Sequence, residues 1–295
     1  MALELLDDAG EFLDAAGGLL AARPVESTVV ATVAARTARD GAPGDLPAGG
    51  PPVWWLVVRD ERGEVVGAGM RTAPFAPYPV YLLAMPDEAA AGLARLLVAR
   101  GEEVSAANGA LPAVEAFAAE LARRTGQVSR VAERMRLHEV TAVVSPPAPP
   151  GRLVPAAAAD ADLVVAWFDD FGSAAAEQAG SPSAHSTPIE TRESVLARIT
   201  AGEVWLWQDP AGTPVHLTAF NPPSFGVARV GPVYTPREHR GRGYAAAAVA
   251  EASRRLLAGG SRVCLFTDVA NPVSNALYER LGYRPLVDMA NLVIE

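Results

Sequence analysis

Two stretches of the chain repeat one hydrophobic pattern. Apolar runs at 53–58 and 65–70 flank a turn at Arg62-Gly63, and runs at 204–207 and 215–220 flank one at Ala211-Gly212. Aromatic and β-branched residues around a glycine turn predict a β-hairpin in each case. A third apolar run follows each hairpin, over 79–85 and 227–234, then an alanine-rich helical stretch, then another strand and helix. One matching hairpin would mean little, but the shared order of elements predicts an internal duplication. Strand, strand, strand, helix, strand, helix, strand is the order of a mixed sheet with helices on its faces, an α/β (α+β) class in each half. Helical spacing also predicts helices ahead of each hairpin, at 3–20 and 26–39 and again at 160–178 and 191–201.

The segment Ser145-Pro146-Pro147-Ala148-Pro149-Pro150 is a stiff, extended connector near mid-chain. It divides the sequence into expected domains 1–145 and 151–295, with 146–150 as linker. The polar loop at 180–188 is expected to be either a variable connection or a functional loop. Half of the 295 residues are hydrophobic and one-fifth charged, which excludes disorder as the main state. Cys264 is the sole cysteine, so a disulfide scaffold is excluded and a reducing cytoplasm is expected. No apolar window approaches the roughly 20 residues of a spanning helix, and acidic Glu4, Asp7 and Asp8 stand where a signal peptide is basic. All 25 basic residues are arginine, and with abundant alanine this fits a GC-rich bacterial coding bias. A net charge of −9 argues against nucleic-acid partners.

The chemistry concentrates in Pro236-Arg237-Glu238-His239-Arg240-Gly241-Arg242-Gly243-Tyr244-Ala245, which follows a strand and opens a helix. Two glycines let backbone approach a ligand closely. The free N–H groups of a first helical turn attract anions with the helix dipole behind them. Arg237, Arg240 and Arg242 add positive charge, so the segment suits a phosphate or pyrophosphate. It has no Gly-Lys-Ser/Thr of a Walker loop and lacks the third glycine of a dinucleotide fingerprint; a merely structural turn stays open on this segment alone. About thirty residues on, Asn271 and Pro272 suit a helix start and Gly282 its end. Val273, Leu277 and Leu281 form a stripe expected to face the core. Asn271, Ser274 and Tyr278 form a second stripe that suits a wall touching a ligand.

Together these segments resemble the GNAT superfamily of acyl-CoA-dependent N-acyltransferases. Arg240-Gly241-Arg242-Gly243-Tyr244-Ala245 matches its Arg/Gln-x-x-Gly-x-Gly/Ala signature, and Asn271 with Asn275-Ala276-Leu277-Tyr278-Glu279-Arg280-Leu281-Gly282-Tyr283 matches its second motif. The resemblance covers about 151–295. It implies two GNAT-like domains, each a splayed mixed sheet, and acetyl-CoA held in the opening of the second. Its implied contacts are Val233, Tyr234 and Thr235 of the strand, Arg240, Gly241, Arg242, Gly243, Tyr244 and Ala245 of the loop, and Asn271, Ser274 and Tyr278. The implied reaction is attack of a primary amine of a small molecule or peptide on the thioester, through an oxyanion held by a backbone N–H near Val233 or Tyr234. Tyr278 is the implied general acid for the departing thiolate, with packing against the pantetheine arm as its alternative. Glu203, His216, Glu238 and His239 are the base candidates nearest in sequence, and none is singled out. No metal, membrane or nucleic-acid partner is expected.

In the first half, the place of the glycine loop holds Ala84-Met85-Pro86-Asp87-Glu88, two carboxylates that would repel a pyrophosphate. That half is expected to be degenerate, completing the acceptor pocket or replacing the second subunit of a dimer; the chain is expected to be a monomeric pseudo-dimer or a homodimer. The alternatives are a non-catalytic acyl-CoA sensor and a relative that takes aminoacyl-tRNA, against which the acidic charge counts.

Overall fold

The computed structural model describes residues 1–41, 50–179 and 191–295. The 180–188 loop lies outside them. The chain forms two compact units, residues 1–136 with 287–295 and residues 137–286. This division differs from the linker-based boundary: the proline segment lies inside the second unit. The cause is strand exchange. In the first unit the strand order is β1 (Ala2–Leu6), β2 (Trp54–Arg59), β3 (Val65–Arg71), β4 (Val80–Leu82), β5 (Ala106–Ala110), β12 (Arg284–Ile294) and β6 (Ser129–Val140). In the second it is β6, β11 (Arg262–Asp268), β10 (Val227–Tyr234), β9 (Pro214–Ser224), β8 (Val204–Gln208) and β7 (Arg152–Pro155). The chain's last strand therefore completes the first unit, pairing Met289 with Ala110 and Leu292 with Ala107.

Both hairpins form where the apolar alternation places them. In β2 the pleat sends Trp54 and Trp55 to opposite faces. Trp54 joins the core under α3 (Asp87–Ala99) and α4 (Ala113–Thr125), and Trp55 joins that under α1 (Ala9–Ala22) and α2 (Thr28–Asp40), where Phe12 stacks on it at 5.0 Å. The second unit repeats this. Trp205 and Trp207 face α7 (Tyr244–Ala258), while Leu206 faces α5 (Ala161–Ala179) and α6 (Arg192–Thr200).

The sequence-based helix over 3–20 is corrected at its start. Residues 2–6 form β1, paired antiparallel with β2, and α1 begins after Asp8, whose Oδ1 accepts the Glu11 N–H at 2.8 Å. Five mostly apolar residues fit either element, and the open edge of β2 decides for a strand.

Candidate active site

Three features of the second unit lie at or just after the C-terminal ends of the parallel strands β10 and β11. The first is a divergence of strands. β10 and β11 run parallel and pair at Val227–Arg262, Ala228–Val263 and Arg229–Cys264, and the pairing stops there although the strands continue to Tyr234 and Asp268. On its other side β10 pairs with β9, where Gly231 and Pro232 together oppose Ala219 alone. That bulge bends the strand away from its ladder, and beyond Arg229 the β11 side of β10 is without a ladder partner.

The second is the loop that β10 feeds. Gly241 and Gly243 have φ of +74° and +85°, and no atom lies within 4 Å of where either Cβ would stand. Side chains resist this left-handed backbone, so glycine there keeps both the turn and the space above it. Gly243 caps α7 and offers no side chain, so the first-turn N–H groups remain available to an anion.

The arginines of the loop are engaged. Arg240 Nε donates to the Thr235 carbonyl at 3.1 Å and its Nη1 sits 3.4 Å from Glu177. Arg237 lies 3.5 Å from the same carboxylate, and Arg242 donates to the Glu238 carbonyl at 3.0 Å. Exposed pairs of this kind contribute about 0.2–1 kcal/mol, too little to hold Arg237 against a doubly charged phosphate group. Arg240 is the more fixed, because it also braces the loop.

The third is α8 (Pro272–Arg280). Asn271 caps it, its Oδ1 accepting from the Val273 and Ser274 N–H groups at 3.1 Å each, and Ser274 Oγ donates to the Asn271 carbonyl. The expected core stripe is met in part: Leu281 is buried and Leu277 packs against the core, but Val273 is 62% exposed, and Asn271 and Tyr278 of the second stripe are buried instead. Tyr278 meets Tyr283 edge-on at 5.7 Å, and Tyr283 in turn bonds Ser253 of α7. α8 packs against β11 and α5, and Tyr278 against the Tyr283 ring. Among the described residues the Tyr278 hydroxyl has no hydrogen-bond partner, and burial pushes its pKa well above the ordinary tyrosine value.

Among the remaining expected contacts, Val233 is half-buried against the α7-side core, and Tyr244 is buried 6.5 Å from Trp207, so its contribution to the loop is its N–H. Ala245 is partly buried. Tyr234 turns to the other face, 5.9 Å from Trp167, and its hydroxyl donates to Asp170 Oδ2 at 3.4 Å; burial and the adjacent carboxylate raise its pKa. Its side chain thus lies on the α5 side of the sheet, and only its backbone belongs to the edge of β10 beyond the β11 ladder.

The base candidates scatter. Glu203 pairs with Arg198, Glu238 is exposed, and His239 is partly buried. His216 is fully buried, with Nδ1 2.7 Å from Thr235 Oγ1 and Nε2 2.7 Å from Thr218 Oγ1. Burial lowers its pKa to about 3, so it is a neutral structural imidazole. Asp170 and Glu177 are the neighbours that sequence reasoning missed. Their spacing along α5 with Trp167 and Ala174 puts all four on one helical face, a signal that is readable only once that face is known to meet β10 and the loop.

The fold that carries this bulged, splayed strand and glycine-capped helix is found in known proteins. Residues 224–291 match the family model of the FR47-like protein. The chain is similar to a GCN5-related N-acetyltransferase from Sphaerobacter thermophilus, at 19% identity and TM-score 0.57, covering 88% of this chain and 84% of that one. It is also similar to a tandem GNAT protein from the clavulanic acid biosynthesis pathway, at 17% identity and TM-score 0.54, over 99% of this chain and 98% of that one. Its fold is that of a tandem GNAT protein. A GNAT-family acetyltransferase from Colwellia psychrerythraea aligns over the whole of both chains at 12% identity and TM-score 0.56. No curated protein matches the sequence. Among the described residues of this GNAT-fold chain, no helix is long and apolar enough to cross a membrane.

Proposed function

We propose that the chain is an N-acyltransferase whose second unit binds acetyl-CoA and acetylates a primary amine of a small molecule or peptide. The observation that carries this reading is the gap between β10 and β11 opening directly onto the uncapped start of α7. The residues fit the group. Gly241 and Gly243 leave a cradle that any Cβ would enter, and the first-turn N–H groups of α7 suit the pyrophosphate. The unpaired edge of β10 through Val233, Tyr234 and Thr235 suits the amide-rich pantetheine arm.

When bound, acetyl-CoA supplies an acyl group activated as a thioester. A backbone N–H near Val233 or Tyr234 steadies the oxyanion. Tyr278 carries its proton on Oη throughout the neutral range, because burial disfavours the phenolate. That Oη donates the proton to the departing sulfur, and the proton that the attacking nitrogen loses on becoming an amide returns the oxygen to its phenol form, so no charge is left buried. Asn271 and Ser274 act by fixing the start of α8, and so the place of Tyr278, in addition to any contact of their own. A second reading, an acyl-CoA sensor without turnover, draws support from the packing of Tyr278 against Tyr283.

Calorimetric titration of acetyl-CoA into the wild-type chain and into Gly243→Asp tests the cofactor assignment. The expected outcome is one site per chain, weakened at least about 100-fold in the variant by the added carboxylate at the helix start. Absence of binding to the wild type would overturn the acetyl-CoA reading altogether.

A further inference from the structure

The anion loop is fastened to the sheet by a buried polar chain. Thr218, on β9, is fully buried and contacts His216 Nε2; His216 Nδ1 contacts the hydroxyl of Thr235, the residue between β10 and the loop. The Thr235 carbonyl accepts from Arg240 Nε, and Arg240 reaches Glu177 near the end of α5. A neutral imidazole has one donor and one acceptor nitrogen, and threonine hydroxyls serve as either, so both bonds form in either tautomer. Each member has its partner within the chain. Fully satisfied buried networks of this kind fix one arrangement of the elements they join.

We infer that the Thr218–His216–Thr235 chain is a positioning device for the anion loop, holding Thr235 and Arg240 so that the first-turn N–H groups of α7 stand ready for the pyrophosphate of the acyl-CoA. The inference rests on the proposed cofactor site and deepens it. Thr218 and His216 are sealed from solvent and touch no cofactor, so they act on binding only through Thr235. Val233, the Cα partner of Thr218 across the strands, lies just beyond the bulge, which places the anchored end of the network beside the gap.

The experiment measures acetyl-CoA affinity and thermal midpoint for the wild type and for Thr235→Val, Thr235→Ser and Thr218→Val. Valine keeps the shape of threonine and removes the hydroxyl; serine keeps the hydroxyl. Thr235→Val should bind acetyl-CoA about tenfold more weakly, Thr218→Val about threefold, and Thr235→Ser as the wild type does: each valine removes one neutral hydrogen bond, that of Thr235 at the loop itself and that of Thr218 one step away through His216. A direct cofactor contact by Thr235 would leave Thr218→Val at wild-type affinity, and that result overturns the proposal. So does equal weakening by Thr235→Val and Thr235→Ser, or wild-type affinity in both valine variants with only the thermal midpoint lowered. A wild type that binds no acetyl-CoA would instead remove the cofactor site itself, and this proposal with it.

Discussion

β4 and β5 in the first unit hold the same place in the order of elements as β10 and β11 in the second, and both pairs run parallel. The first pair stays shut. Its pairing runs Val80–Ala107, Tyr81–Asn108 and Leu82–Gly109, to the last residue of β4. At Gly109 a Cβ would lie 2.2 Å from the Leu82 carbonyl oxygen, so the backbones fill the space that a ligand would need. The second pair parts after three residues and leaves open space at Gly231, Gly241 and Gly243. The helix that follows differs to match. α3 starts with Asp87 and Glu88, which satisfy its dipole, whereas α7 starts bare. One order of elements thus yields a closed wall or an open cleft, depending on where a glycine stands and whether the helix start is already satisfied.

The sharpest way to test the open side is Tyr278→Phe. If Tyr278 donates the proton, turnover with acetyl-CoA and an acceptor amine falls about 100-fold while acetyl-CoA affinity holds; equal turnover in the variant would reduce Tyr278 to a packing residue. The closed side is tested by Gly109→Ala. Its new methyl meets backbone at a φ of +152°, so urea unfolding should show a loss of about 2–4 kcal/mol. A neutral result would mean that β4 and β5 separate easily, against the contrast drawn above.

Over the window from pH 6 to 4.5 the effect expected from pH is about 2 kcal/mol, at the low end of the range for Gly109→Ala. The folded pKa of His216 is about 3 against an ordinary value of 6.5. Between those values the unfolded chain binds the extra proton, so stability is complete above pH 6.5 and declines as the pH falls towards 3. The stability advantage of the wild type over His216→Gln should narrow by about 1.4 kcal/mol per pH unit below 6.5. A constant difference between pH 6 and 4.5 would show that the imidazole is hydrated in the fold.

Sequence pattern revealed the hairpins, the duplication and the glycine loop because each is encoded locally. Alternating apolar residues around Gly63 and Gly212 admit few other structures, and a glycine with φ near +85° is a requirement that the chain itself states. What stayed hidden depends on partners far along the chain. The first residues were read as helix because only the edge of β2 makes them a strand. On α8, nine residues carry two plausible stripes, and only the surrounding elements decide that Tyr278 turns inward and Val273 outward. His216, in a strand, reads as a structural histidine before it reads as a base, but only the fold shows that Thr218 and Thr235 are the groups that satisfy it. The proline-rich segment marked a change in the chain's character but not the division of the fold, because β6 and β12 cross it.

That exchange has a consequence during synthesis. Residues 287–295 belong to the first unit, yet they emerge from the ribosome only after all of 137–286. The unit translated first is therefore finished last, and until then the edge of β5 that β12 will cover stands unpaired. An open edge on a nascent chain is a surface for wrong pairing, so the interval between the two events is when the first unit is exposed to misassembly.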